Sequence, residues 1–77
     1  MTHGEIRQTL VAGCSQETLK AIRCPVCRGG TTLIVHPRGK LFVIRCDADT
    51  CHMHISDTNP SPPDWWAEYV RRDGWMA

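Results

Sequence analysis

The sequence of 77 residues contains no apolar run that approaches the ~18 residues needed to cross a membrane. Its first residues, Met1 to Glu5, lead into no apolar segment of the kind found in a secretory signal peptide. Internal repeats and low-complexity tracts are also missing from it. These absences argue against a membrane, secreted or repeat protein, and they predict one small cytoplasmic domain without a membrane partner.

The sequence also has little excess of charge of either sign. Nine lysines and arginines stand against eight aspartates and glutamates, for a formal net charge of +1. Affinity for a phosphate backbone grows with the number of lysines and arginines that engage it. We therefore expect any nucleic-acid binding by this chain to be weak or narrowly focused.

A chain of this length has too few residues for a large core. Small cores rarely supply more than ~3–5 kcal/mol of stability, so such domains usually need a covalent or metal staple. A structural zinc site adds on the order of ~10 kcal/mol to folding. A metal site is therefore the first feature to look for.

Cysteine is what the sequence does contain. Cys24 and Cys27 enclose two residues, eighteen residues follow, and Cys46 and Cys51 enclose four more. Two separated pairs brought together by a hairpin are typical of a tetrahedral zinc site. Without an oxidising compartment, metal ligands are favoured over two disulfides, and the wider second pair favours zinc over a rubredoxin-type iron. We predict one structural Zn²⁺ held by these four cysteines.

Other cysteine and histidine residues leave the ligand set open. His52 and His54 lie beside the second pair, and either is an alternative to Cys51 because imidazole also binds zinc. Cys14 lies ten residues before the first pair and is interpreted as a small buried hydrophobe. A catalytic zinc keeps an open position, whereas four good ligands are available here. We therefore expect no enzyme activity and no small-molecule substrate.

The cysteine pairs flank a predicted hairpin. Residues 31–36 are rich in β-branched side chains and residues 41–45 are apolar, which predicts two strands. The sequence His-Pro-Arg-Gly over residues 36–39 favours a turn between them. Residues 53–56 can add a third strand, so the ribbon is expected to be a two- or three-stranded antiparallel sheet.

Short helices are predicted on both sides of the ribbon. Helical spacing indicates helices over residues 3–12, with Gly13 as its stop, and roughly 16–22, with Ser15 as N-cap. Ser61 as N-cap predicts a third helix from about Pro62 to Arg72, with a stop at Gly74.

The fold class is accordingly a small α+β zinc ribbon in one compact domain. We divide the chain into an N-terminal helical segment, the ribbon, and a Trp-rich C-terminal helix packed on the ribbon. These parts cover residues 1–23, 24–57 and 58–77.

Two sets of side chains are candidates for contact with a partner. Trp65 and Trp66 point about 100° apart on a helix, so one should pack on the sheet while the other stays partly exposed. Tyr69 shares the face of Trp65. An exposed tryptophan is suited to a protein partner or to stacking on a base. The second set is cationic, at the hairpin tip and near the cysteine turns: Arg28, Arg38, Lys40 and Arg45.

The stretch Cys24-Pro25-Val26-Cys27-Arg28-Gly29-Gly30, the approach Arg38-Gly39-Lys40-Leu41-Phe42 and the second cysteine pair resemble a known group of modules. They are similar to the zinc ribbons at the C-terminus of bacterial type IA topoisomerases, and to the phage late-gene activators of the Ogr/Delta type. The resemblance covers about residues 24–55, and Arg28 stands where many ribbons have glycine. It implies contact with nucleic acid or with the transcription or DNA-processing machinery, and it implies no catalytic residue.

The ribbon and the Trp-rich helix lead to two hypotheses for function. In the first, a free-standing zinc ribbon binds nucleic acid or the transcription machinery through the four cationic residues. In the second, the chain is a protein-interaction module, such as a small phage-type or accessory modulator of a host enzyme. Its binding surface would then be the Trp-rich C-terminal helix.

Overall fold

The computed structural model describes residues 1–38 and 40–71, in which two helices precede a three-stranded sheet and a 3₁₀ helix follows it. The elements are α1 (His3–Ala12), α2 (Gln16–Ala21), β1 (Thr31–Val35), β2 (Leu41–Cys46), β3 (His54–Thr58) and the 3₁₀ helix Asp64–Tyr69. This arrangement confirms the small α+β class. No helix in these described ranges is long and apolar enough to span a membrane.

Side-chain caps determine where the two α-helices begin. At α1 the Thr2 hydroxyl accepts the Glu5 N–H (3.2 Å) and the Glu5 carboxylate accepts the Thr2 N–H (3.0 Å), which forms a capping box. The helix ends at Gly13, whose φ of 88° suits glycine. Ser15 caps α2 by accepting the Thr18 N–H at 3.1 Å. The predicted stop at Gly13 and the predicted N-cap at Ser15 are confirmed.

The strands form an antiparallel sheet in the order β1-β2-β3. Leu33 lies opposite Ile44, and Ile44 lies opposite Ile55. Side chains alternate between the two faces of a strand, so Leu33, Ile44 and Phe42 share one face. This face carries the helices and most of the core. The buried apolar cluster comprises Ile6, Leu10, Leu19, Ile22, Cys24, Leu33, Val35, Phe42, Ile44, Cys46, Met53 and Trp66.

Helix α1 lies alongside the chain segment that contains β3, and three hydrogen bonds hold it there. His3 Nε2 contacts the His52 carbonyl (2.8 Å), Arg7 Nε donates to the Asp57 carboxylate (2.5 Å), and Asn59 Nδ2 donates to the Leu10 carbonyl (3.0 Å). The residues in these pairs are separated by 49, 50 and 49 positions. The nearly constant separation shows that α1 and this segment run side by side.

The C-terminal helix is shorter and tighter than predicted. It is the 3₁₀ helix Asp64–Tyr69, preceded by Pro63 without a side-chain cap. Ser61 does not act as the predicted N-cap, because the helix begins only after Pro63; Ser61 lies in a preceding turn, in which its N–H donates to Oδ1 of buried Asn59 (2.8 Å). The prediction that the helix continues to Arg72 is wrong, because the helix ends at Tyr69 and the next two residues pair with Val35 of β1; the predicted stop at Gly74 lies outside the described residues.

Candidate metal centre

Four side chains converge at one end of the sheet. The ligand atoms of Cys24, Cys27, Cys46 and His52 all lie within 4.8 Å of one another. The Cys27 and Cys46 sulfurs are 3.6 Å apart, and Cys46 Sγ lies 3.7 Å from His52 Nδ1. Zn–S bonds of ~2.3 Å place two sulfurs about 3.8 Å apart at the corners of a tetrahedron. The four groups are therefore close enough to hold one metal ion.

The turn that carries Cys24 and Cys27 directs main-chain N–H groups at the sulfurs. Val26 N–H donates to Cys24 Sγ and Gly29 N–H donates to Cys27 Sγ, both at 3.4 Å. Bonds from Arg28 N–H to the Cys24 carbonyl (2.8 Å) and from Cys24 N–H to the Gly29 carbonyl (3.0 Å) close the turn. Donors aimed at sulfur stabilise the thiolate form that binds metal.

Two residues of this turn adopt or require special geometry. Arg28 has a φ of 61°, the left-handed region in which a side chain is disfavoured. Glycine, which lacks a Cβ, would adopt this conformation without that penalty. A Cβ added at Gly29 would lie 3.2 Å from Cys27 Sγ, so the lack of a side chain at Gly29 leaves room for the ligand.

The two cysteines of the first turn differ in acidity. Burial raises the pKa of Cys24, but the N–H groups of Cys27 and Val26, together with neighbouring thiols, outweigh it and lower this pKa to about 7. The Gly29 N–H lowers the pKa of Cys27, but the Cys46 and Cys24 thiols and burial outweigh it, and the net shift is upward. One thiolate thus forms readily, and a second beside it is disfavoured by the first. A divalent cation bound between the sulfurs would offset the repulsion between the two thiolates and so favour the second one.

The second turn brings His52, and not Cys51, into the group. The Asp49 carboxylate accepts the Cys51 N–H at 2.8 Å, and the Asp49 carbonyl accepts the His52 N–H at 3.0 Å. This turn leaves Cys51 exposed and directs the half-buried His52 towards Cys46. Of the four predicted cysteine ligands, the structure thus groups three with His52, which the sequence left as an alternative to Cys51. His54 is exposed on β3, opposite Arg45, and outside the group.

The main-chain carbonyl of His52 is hydrogen-bonded to a side chain of α1. His3 Nε2 contacts it at 2.8 Å, and because a carbonyl oxygen only accepts, this ring nitrogen carries the proton. The bond ties the first turn of α1 to the turn that presents His52. The sequence contained no signal for this contact, since the two residues are 49 positions apart.

Cys14 lies away from the metal group. It is half-buried against the core cluster, and burial raises the pKa of its thiol. Its carbonyl accepts the Trp65 indole N–H at 3.0 Å. These contacts agree with the interpretation of Cys14 as a small packing residue.

The four predicted cationic contact residues do not form a single patch. Exposed Arg28 and half-buried Arg45 lie near the metal group, whereas exposed Arg38 and Lys40 lie at the hairpin tip. Lys40 and Arg45 are five positions apart along β2, or roughly 17 Å at the rise of a strand. The structure thus separates these cations into two pairs.

The aromatic residues of the 3₁₀ helix are part of the packing. Trp66 is only 2 % exposed and meets the Phe42 ring edge-on, with centroids 5.4 Å apart. Trp65 is half-buried and meets the Tyr69 ring edge-on at 5.5 Å. The Tyr69 hydroxyl accepts a hydrogen bond from Gln16 Nε2 at 3.0 Å. Trp66 is therefore the core tryptophan, and the other two aromatic residues are partly exposed.

Comparison with protein-family models, with curated proteins and with solved structures finds no match. The resemblance to topoisomerase and phage-activator ribbons is therefore not supported by a family match. The chemistry of the site itself has to carry the functional proposal.

Proposed function

We propose that this chain is a non-catalytic interaction domain whose fold is organised by one structural Zn²⁺. The proposal is carried by the four ligand atoms of Cys24, Cys27, Cys46 and His52, which lie within 4.8 Å of one another. Three thiolates and one imidazole are a common ligand set of structural zinc sites. The N–H groups directed at two of the sulfurs give further support.

A structural role fits better than a catalytic one. A catalytic zinc is usually held by three protein ligands, with the fourth position open to water or substrate. Here four protein groups are available for four tetrahedral positions. Cys24 and Cys46 are each 1 % exposed, so these two cysteines are shielded by the fold, whereas Cys27 is exposed. A bound ion would join the first cysteine turn to the end of β2 and thereby close the ribbon.

Matched substitutions at the fourth position test the zinc site. His52→Ala should lose zinc, measured by metal analysis and native mass spectrometry, because it removes a ligand. Cys51→Ser and His54→Ala are the controls, and each should retain one zinc per chain. Zinc retained in His52→Ala but lost in Cys51→Ser would overturn the proposed ligand set. The absorption spectrum of the cobalt(II)-substituted protein gives a second readout, because three sulfurs and one nitrogen differ from four sulfurs.

A protein is the partner that the surface favours. Because Arg28 and Arg45 are well separated from Arg38 and Lys40, no continuous basic surface connects the four. The overall charge is also close to neutral. Both observations favour a protein partner over a phosphate backbone, whose binding requires several cations to act together.

Nucleic acid, or a nucleic-acid complex of the transcription machinery, is the second candidate. It is favoured by the exposure of Arg38 and Lys40 at the hairpin tip, where neither has an ion-pair partner among the described residues. Binding through these two cations should show a shallow salt dependence, with a slope of about −2 in a plot of log affinity against log salt. Arg38→Gln and Lys40→Gln should each remove about one unit of that slope. Unchanged slopes in both variants would eliminate this candidate surface.

A further inference from the structure

The outer edge of β1 carries main-chain groups that the sheet does not use. β1 is an edge strand in the order β1-β2-β3. The Asp47 N–H donates to the Gly30 carbonyl at 3.1 Å, so this pair is a bonded pair of the β1–β2 ladder. Bonded and non-bonded pairs alternate in an antiparallel ladder. The N–H and carbonyl groups of Thr31 and Leu33 therefore point away from β2.

The chain itself already adds a strand at one end of this edge. Val70 forms a parallel bridge with Val35, and the Arg71 N–H donates to the Val35 carbonyl at 2.9 Å. Over the ranges 1–38 and 40–71, no main-chain bond from outside the sheet reaches Leu33. Among the described residues, the edge is thus occupied at Val35 and open over the first half of β1.

A groove lies beside the open part of the edge. Its volume is about 470 Å³, within the ~300–1,000 Å³ typical of ligand sites. Buried Leu19, Ile22 and Leu33 contribute apolar lining, and Tyr69 lines it as well. The groove therefore offers apolar contacts next to unused main-chain donors and acceptors.

The rim of the groove is positively charged. Lys20 and Arg23 line it, both side chains are exposed, and none of the described residues in the lining is acidic. Arg23 Nη1 is held by the carbonyls of Lys20 (2.7 Å) and Ile22 (3.0 Å), which leaves its other N–H groups for a ligand. The ion pair found in the described part of the chain joins Arg7 and Asp57, so neither rim cation is neutralised by a carboxylate.

We propose that the open edge of β1 binds an extended, acidic segment of a partner protein by strand addition. The main chain of the segment bonds to Thr31 and Leu33, and its carboxylates face Lys20 and Arg23. Main-chain bonds supply affinity in this mode of recognition, while side-chain contacts supply specificity. The inference rests on the proposed function, and it names the surface and the partner chemistry.

Amide exchange in the zinc-loaded, full-length protein tests this placement. The probe is a capped heptapeptide that alternates valine and glutamate, and the comparison peptide has lysine in place of glutamate. The acidic peptide should slow exchange of the Leu33 amide, which points outward. The Thr32 and Ile34 amides, which point towards β2, should change little and serve as internal controls. The lysine peptide should leave all three unchanged.

A matched pair of lysine variants tests the charge contact. Lys20→Gln should weaken binding of the acidic peptide about two- to fivefold, as expected for one exposed charge pair. Lys40→Gln, at the opposite end of the sheet, should bind like the wild type. Equal weakening in both variants, equal binding of the lysine peptide, or protection at the hairpin tip instead of Leu33 would overturn the proposal.

Two competing occupants give distinguishable results. Concentration-dependent protection of Leu33 without peptide would indicate a second copy of this chain, and protection by single-stranded DNA in place of peptide would indicate nucleic acid. Either result rejects the acidic-peptide assignment. Zinc content is measured on the same samples. One zinc per chain without Leu33 protection rejects only this edge proposal, whereas absence of zinc from the folded protein rejects the proposed function.

Discussion

Truncation of Trp66 to alanine should cost most of the stability that the small core provides. A tryptophan side chain buries about 200 Å², which at ~25 cal/mol per Å² is worth about 5 kcal/mol. Its indole N–H is buried without an acceptor among the described residues, and that loss of hydration costs ~1–3 kcal/mol. The net loss for Trp66→Ala should then be about 2–4 kcal/mol, which overlaps the ~3–5 kcal/mol of other buried aromatic truncations.

Thermal unfolding at saturating zinc measures this effect, since a ligand that binds the folded state raises its stability. For a domain of this size, a loss of about 2–4 kcal/mol corresponds to a decrease in Tm of roughly 8–30 °C. Trp65→Ala is the matched control. It removes one hydrogen bond to the Cys14 carbonyl and a half-buried ring, so its loss should be about half as large.

A second substitution separates ring packing from the unpaired N–H. Trp66→Phe keeps an aromatic ring against Phe42 and deletes the donor that lacks an acceptor. It should therefore cost no more than ~1 kcal/mol. A Tm for Trp66→Ala within about 3 °C of the wild type, less than ~1 kcal/mol in a small domain, would refute the assignment of Trp66 to the core. A loss as large in Trp66→Phe as in Trp66→Ala would refute the argument about the N–H.

Three further outcomes are expected. Gly29→Ala should weaken zinc binding more than it destabilises the sheet, because the added Cβ would lie 3.2 Å from Cys27 Sγ. Competition with a chromophoric chelator measures the zinc affinity. An unchanged affinity would contradict a steric conflict between this Cβ and the sulfur. The Thr58 N–H, and to a smaller extent Arg7, lower the pKa of Asp57. The ionised Asp57 therefore stabilises the fold at pH values above its unfolded pKa of ~3.9. This stabilisation is lost as the pH falls through the lower pKa of the folded state. Urea unfolding across that acidic range should therefore show a smaller loss of stability for Asp57→Asn than for the wild type. Acid also releases the metal, but it does so in both proteins, so the difference between them reports on Asp57. Removal of zinc by a chelator should accelerate amide exchange first in the two turns that carry the ligands, and uniform protection after complete removal would argue against a structural role.

The sequence allowed the elements to be predicted better than their connections. Gly13 and Ser15 act locally on their own helices, so their roles could be read from the sequence alone. The fourth member of the candidate metal group could not be predicted in this way. Cys51 and His52 are adjacent, and which of them faces the three cysteines depends on the turn around Asp49. That turn is defined by hydrogen bonds whose geometry the spacing of the cysteines does not determine.

The C-terminal segment shows the same limit. Ser61 was predicted to cap an α-helix, but the Asn59 side chain accepts the Ser61 N–H and donates to the Leu10 carbonyl. Ser61 therefore lies in a turn that is anchored by a contact 49 positions away, and the helix begins beyond it. The choice between Trp65 and Trp66 as the buried tryptophan likewise depends on where the helix contacts Phe42. No local sequence pattern predicts that contact.

The three bonds that hold α1 beside the β3 segment have a consequence for the order of folding. Each joins residues 49 or 50 positions apart, so the partners of α1 are made long after α1 itself. At ~5–20 residues per second, the helix waits about 2–10 s during synthesis before its partners are complete. The three cysteines of the candidate metal group, Cys24, Cys27 and Cys46, are made earlier, so metal capture by the first turn can precede docking of α1. Helix α1 is thus expected to reach its native position only after the segment His52–Asn59 has been made, with Ile6 and Leu10 exposed to chaperones or proteases until then.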